Sequence, residues 1–175
     1  MMTARASINI YLLLIAAAVA PGCRSAEERK RDNERSTLRV HLEVNADSTG
    51  RSAQVPVFRE RPVLVNVEKA PFLDEGSIER AWVEDAPGSF VIKVQLDPSG
   101  TLLFDGVSAS HRGRRIAIFS QFPDPRWLGA PLITRRSADG ILEFTPDATR
   151  EEAERIVRGL NNVAKDLKKR SNLSL

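Results

Sequence analysis

Between Leu38 and Val44 apolar and polar residues alternate strictly, Leu-Arg-Val-His-Leu-Glu-Val. That is the period-2 pattern of a strand with one buried face. Leu38, Val40, Leu42 and Val44 share this face, which puts His41 on the opposite, solvent side. Asn45 to Ser52 supplies turn residues. Val55-Pro56-Val57-Phe58 then reads as an edge strand pairing back on the first, because Pro56 has no N–H for a central ladder. Pro62 to Val67 is the next strand. Asp74 is placed to cap a short helix through Arg80, and Trp82 to Asp85 returns to extended chain, with Trp82 expected in the core.

Ser89 to Leu96 is a strand entered through the Pro87-Gly88 turn. Asp97 followed by Pro98 makes an N-cap with proline at the first helical position, where its missing N–H costs nothing. Leu102, Leu103 and Val107 are expected to form the apolar face of that helix, and Gly113 to end it. Strands follow at Arg115 to Phe119, Pro131 to Thr134 and Ile141 to Phe144. The last helix carries a Thr149/Glu152 capping box, and Ala153, Ile156, Val157, Leu160, Ala164 and Leu167 recur at three- and four-residue spacing. The whole order predicts an α+β fold: a mostly antiparallel sheet with helices on one face.

Near the N-terminus the pattern changes. Ile8 to Ala20 is a 13-residue apolar run behind Arg5, which as a helix spans about 20 Å at ~1.5 Å per residue. A bilayer core needs about 30 Å, so the run is the hydrophobic segment of a signal peptide. Pro21-Gly22-Cys23 follows, and this ending resembles a bacterial lipoprotein signal, which implies acylation of Cys23, the single cysteine. Ordinary cleavage after Ala18-Val19-Ala20 is the competing reading, opposed by Pro21 beside the bond, and an uncleaved anchor is opposed by the short span. By the same resemblance to lipoprotein sorting in bacteria with two membranes, Arg24 rather than Asp after the cysteine implies the outer membrane, facing the periplasm. Arg24 to Thr37 carries both charge signs without an apolar period, as a flexible spacer does; a local helix is the alternative.

Charge adds little. The net +3 falls to +2 without Arg5, and the clusters Arg112-Gly113-Arg114-Arg115, Arg135-Arg136 and Lys168-Lys169-Arg170 have no interleaved aromatics, so nucleic acid is not an expected partner. No nucleotide loop, zinc-protease motif or nucleophile elbow occurs. With two histidines and one cysteine, neither catalysis, a metal nor a cofactor is expected. His111 is read as a complement to a helix C-terminus, and Glu84-Asp85 as the rim of a hairpin. The segment Phe122-Pro123-Asp124-Pro125-Arg126-Trp127-Leu128 is read as an inserted loop. Phe122, Arg126 and Trp127 are residue types enriched at binding hot spots, so they are the candidate partner-binding residues; folding down over the sheet is the equal alternative.

Several segments in order are similar to the head subdomain of the first periplasmic domain of SecD, the protein-export membrane protein. They are Arg61-Pro62-Val63, Leu73 to Ile78, Glu84-Asp85 and Val91 to Leu96. Pro98, Gly100 and Phe104 follow, then Gly113 to Ile118, Gly129-Ala130-Pro131, Phe144-Thr145 and Glu151-Glu152-Ala153. The resemblance covers Arg61 to Asn161. It implies a SecD-head-like fold at 61–170, preceded by a signal peptide at 1–22, a charged spacer at 23–37 and an N-terminal strand pair at 38–60, with a tail at 171–175. SecD couples proton flow to head movement through transmembrane helices, and no matching segment occurs here, so the resemblance carries the fold and not the energy-coupled step. The expected function is a non-enzymatic, lipid-anchored envelope protein. It would bind a protein or extended polypeptide, either export machinery or its clients. A structural or regulatory lipoprotein with one fixed partner is the alternative.

Overall fold

The structure is a computed structural model and describes residues 25–47, 50–122 and 124–173. The chain divides into two units, Met1–Asp32 and Asn33–Leu175. In the first, helix α1 (Ala26–Asn33, reaching one residue past the division) starts from a reciprocal cap. Ser25 N–H donates to Glu28 (2.9 Å), and Glu28 N–H donates to the Ser25 hydroxyl (3.1 Å). No side chain of α1 is buried, so the helical alternative for the spacer holds without an apolar face, started by its cap.

The second unit is α+β, and its strands divide among three antiparallel sheets rather than one. The first is β1 (Leu38–Leu42), β6 (Ile116–Gln121) and β7 (Pro125–Gly129), in that order. The second is the hairpin of β2 (Ser52–Val57) and β3 (Val63–Glu68). The third is β4 (Ile78–Ala86), β5 (Ser89–Leu96) and β8 (Ile141–Phe144). Helices α2 (Pro98–Ser110) and α3 (Arg150–Leu173) close on the main core, which joins Leu38, Ile92, Ile118, Leu128, Phe104, Ile156 and Leu160.

The first sheet is buried on both faces, and this reorganises the N-terminal expectation. Leu38 and Val40 face the main core, while Ala117 and Trp127 face a second core with Val55, Val57, Val65 and Val67 of the β2–β3 hairpin. Strand β1 therefore pairs with β6, Leu38 opposite Ser120 through Leu42 opposite Ile116, and β2 pairs with β3. The expected β1–β2 pair is not formed, and the hairpin runs across the expected boundary at 60/61. His41, read as solvent-facing, is only 8% exposed because the hairpin covers its side of the sheet.

Three other expectations change. The capped turn after Asp74 is a 3-10 helix of Glu75–Ser77, and β4 begins at Ile78 instead of a helix running to Arg80. Helix α2 has its predicted cap, with Gly100 N–H donating to Asp97 (2.7 Å), but it turns the other face inward. Gly100, Phe104 and Ser108 are buried, whereas Leu102 and Leu103 are 74% and 51% exposed. The small residues flanking Phe104 let the helix approach so closely that a Cβ on Gly100 would lie 2.9 Å from Ser77 Cβ. Pro131 to Thr134 makes one isolated bridge, Arg115 with Leu132, and no strand.

Helix α3 begins as predicted: Glu152 N–H donates to the Thr149 hydroxyl (3.2 Å), and Thr149 N–H donates to the Glu152 carboxylate (3.0 Å). The predicted stripe from Ala153 to Ala164 is buried; Leu167 is 38% exposed. Residues 34–37, expected within the spacer, belong to the fold. The Glu34 carboxylate, 9% exposed, accepts from Arg155 (3.0 Å) and Arg158 (2.7 Å), and Asn162 Nδ2 donates to the Glu34 carbonyl (3.1 Å). Ser36 is buried against Gly159 and shares a 3.2 Å hydrogen bond with Ser120.

Candidate polypeptide-binding surface

The segment read as an inserted loop is a hairpin. Strand β7 runs antiparallel to β6, with Phe119 opposite Trp127, Ser120 opposite Arg126 and Gln121 opposite Pro125. Pro125 sits at the strand end, where a missing N–H is tolerated. The three candidate residues do not share one patch, because alternation sends neighbours to opposite faces. Trp127 packs edge-on against His41 (5.1 Å between centroids) and Phe119 (5.3 Å), over the second core. Arg126 points to α3, where it meets the Glu152 carboxylate at 3.3 Å with its side chain 13% exposed, and its Nε is buried without a hydrogen-bond partner among the described residues. Phe122 packs against the main core beneath the Arg155 guanidinium, 4.9 Å from its ring. Cys23, the expected lipidation site, lies outside the described residues.

Glu152 is the electrostatic centre of that region. The Thr149 N–H, then Arg126 and Arg59, hold its carboxyl below the usual carboxylate range against the opposing effect of burial. On the other face of the first sheet, His41 Nδ1 lies 2.8 Å from the Glu68 carbonyl, tying β1 to β3. Burial, helped by the charge of Arg39, lowers its pKa even though the Glu68 carbonyl favours the charged form. His41 is thus a partnered core histidine. His111 caps α2, as expected, with Nδ1 3.2 Å from the Val107 carbonyl.

A different surface lies at the outer edge of β4. Ala81 points into the main core and Trp82 to the other face, so Trp82 is not the core residue the sequence suggested. Its Nε1–H donates to Glu84 (3.1 Å), and the Arg80 guanidinium sits 4.9 Å from its ring. Glu84 in turn accepts from Lys93 (2.6 Å), which also meets Glu143 at 3.4 Å. The Lys93 hydrogen bond, then that of Trp82, lowers the Glu84 pKa, and Glu84 raises that of Lys93. Beside Trp82 a groove of about 600 Å³ is lined by Glu79, Arg80, Ala81, Trp82, Asn161 and Lys165. At its floor Asn161 of α3 bonds the backbone of β4 twice. Ala81 N–H donates to Oδ1 (2.8 Å), and Nδ2 donates to the Ala81 carbonyl (2.9 Å). Asn161 was invisible to sequence reasoning because a polar residue beside the apolar stripe of a helix reads as solvated.

Among the described residues, no group of three or more His, Cys, Asp or Glu side chains is arranged to hold a metal ion. No helix among them is long and apolar enough to cross a membrane.

No family profile and no curated protein matches the sequence. Solved structures of SecDF are among those that resemble the fold, and two of them carry the comparison. One is the membrane component SecDF, which enhances protein export: identity 18%, TM-score 0.54, covering 81% of this chain and 70% of that one. The other is SecDF in its super-membrane-facing form: identity 18%, TM-score 0.55, covering 79% of this chain and 21% of that one. The chain therefore has a SecD-like fold and corresponds to a small part of the longer SecDF chain.

Proposed function

We propose that this is a non-enzymatic envelope protein, held at a membrane through a lipid on Cys23, whose SecD-like domain holds an extended polypeptide or a protein partner as an accessory to protein export. The observation that carries this reading is the SecD-like fold, found in a chain whose β4 edge is met by a side chain and opens on a groove. A sheet edge offers main-chain hydrogen bonds to any extended chain, so it suits a holder of many sequences. Among the described residues, no side-chain set on the surface argues for bond-making chemistry. An acyl anchor would keep the domain at the membrane surface; two or more chains are needed for stable anchoring. The wall such a protein serves is the periplasm-facing side of the envelope, the outer membrane by the Arg24 signal.

Intact-mass measurement of the membrane fraction, for wild type and Cys23→Ser, tests the anchor, and whole-cell crosslinking tests the partner. The reading expects an acylated wild type, an unacylated and released variant, and crosslinks to many exported chains or to export components. A soluble product starting near Pro21 would remove the anchor. One abundant stoichiometric envelope partner, with no exported chains, would replace the holder with a structural lipoprotein.

A further inference from the structure

Edge strands in this fold are met in two different ways. The outer edge of β1 is bonded by backbone: Val40 N–H donates to Leu73 and Phe72 N–H to Val40, both at 2.9 Å. Strand β3 receives Val44 N–H at Asn66 (2.9 Å), and β7 receives Asp147 N–H at Leu128 (2.6 Å). At β4 the partner is the Asn161 amide instead. A carboxamide is the side-chain counterpart of a peptide unit, one carbonyl acceptor and N–H donors. Bonding both N–H and C=O of one residue, it reproduces the two-bond pair that an antiparallel strand makes with its opposite residue. A backbone arriving there would replace each Asn161 bond with an equivalent one, so the Ala81 N–H and carbonyl would stay paired while the displaced amide turns to water in the open groove.

What surrounds this point fixes the chemistry of the arriving chain. Glu79 is matched by Lys168 at 3.2 Å, on the α3 side. Arg80 and Lys165 make no ion pair among the described residues, while Glu84 and Asp85 farther along β4 are matched by Lys93 and Arg150, so the unmatched charge at the groove is positive. Trp82 is half-buried beside the same edge and presents an aromatic surface to one side chain of an extended chain. From these features we infer that the outer edge of β4, walled by α3, is a strand-addition site for an extended acidic polypeptide segment, with Asn161 holding the place of the incoming backbone. The inference rests on the polypeptide-holding function and gives that function a location and a preferred client.

The test is fluorescence anisotropy with the full chain and a labelled peptide of alternating Glu and Thr, long enough to span the nine residues of β4. Alternate-residue N-methylation and exchange of Glu for Lys should each weaken binding about tenfold or more, since one removes main-chain bonds and the other reverses the charge match. Arg80→Glu and Lys165→Glu should each cost about three- to fivefold at low salt, the range for exposed charge pairs. Trp82→Ala should cost about thirtyfold, as an aromatic anchor does. Asn161→Ala separates a place-holder from a structural prop. Removal of the competing amide should tighten binding about fivefold, whereas a prop would leave affinity unchanged or reduced. In Trp127→Phe protein the remaining Trp82 emission should change on binding. Peptide binding that ignores N-methylation, or both charge reversals, overturns the site and leaves the holder function standing. No binding of this peptide, its Lys counterpart or an unfolded exported protein overturns both. Edge-to-edge dimers in sedimentation, abolished by Lys165→Glu and accompanied by no peptide binding, would assign the edge to a second copy.

Discussion

Trp127→Ala measures whether the β6–β7 hairpin is part of the core or an appendage. A tryptophan brings on the order of 200 Å² to a core. With Trp127 only partly exposed, roughly 120 Å² is withdrawn from water, which is about 3 kcal/mol at ~25 cal/mol/Å². The edge-on contacts to His41 and Phe119 add about 0.5 kcal/mol or more each. The expected loss is therefore about 3–4 kcal/mol, equivalent to a fall in melting temperature of about 10 °C for a domain of this size. Urea unfolding followed by far-ultraviolet circular dichroism gives the free energy directly, and Trp127→Phe, which keeps a ring against His41, should lose about half as much. Proton NMR of His41 supplies an independent reading, because water admitted by the smaller side chain should move its titration back toward the ordinary histidine range. A loss below about 0.5 kcal/mol, the usual range for surface positions, with His41 unmoved would refute the packing argument and return Trp127 to the surface.

Three further outcomes follow from the packing and ion pairs. Gly159→Ala in mid-helix would ordinarily add about 1 kcal/mol, yet here a Cβ would stand 2.7 Å from Ser36 N and 2.8 Å from its Cβ; a loss of about 2 kcal/mol is expected, and a gain in urea unfolding would show that the arm does not dock. Glu34→Gln should cost about 2 kcal/mol at pH 7. Burial pushes the Glu34 carboxyl up but Arg155 and Arg158 outweigh it, so its folded pKa is lowered. The contribution is therefore complete above pH about 4.5 and lost as pH falls through the lower folded value, and a difference between wild type and variant that stays constant down to pH 3 would contradict it. For His41, burial and Arg39 lower the folded pKa, so the unfolded chain takes up a proton first and stability falls as pH drops below about 6.5; His41→Gln should flatten that part of the pH–stability curve, and an unchanged slope would remove His41 as its cause.

Much of the fold was legible where local chemistry decides it. The Asp97-Pro98 start, the Thr149/Glu152 box, the Pro87-Gly88 turn and the α3 stripe all depend on residues within a few positions of each other. What failed depends on long-range partners. His41 and Trp127 could not be placed without knowing that the β2–β3 hairpin covers the second face of β1-β6-β7. Helix α2 misled because its two exposed leucines outweigh Gly100 and Ser108 in any hydrophobic count, although close approach needs the small residues. The two prolines around Asp124 disguised β7, since proline at a strand end carries no penalty. The β4 edge was illegible for a simpler reason. Its character comes from Asn161, eighty positions away in sequence from the Ala81 backbone it bonds.

The docking of Glu34 also has a mechanical meaning. Tension arriving from the N-terminal side meets the Glu34 ion pairs before any rung of the five-residue β1 ladder. There it is divided between two guanidinium groups on Arg155 and Arg158 and passed into the 24-residue body of α3, with Ser36 wedged on Gly159 immediately behind. The arrangement works like the strain relief on a cable: load is diverted into the stiffest element so that the ladder beyond it is spared.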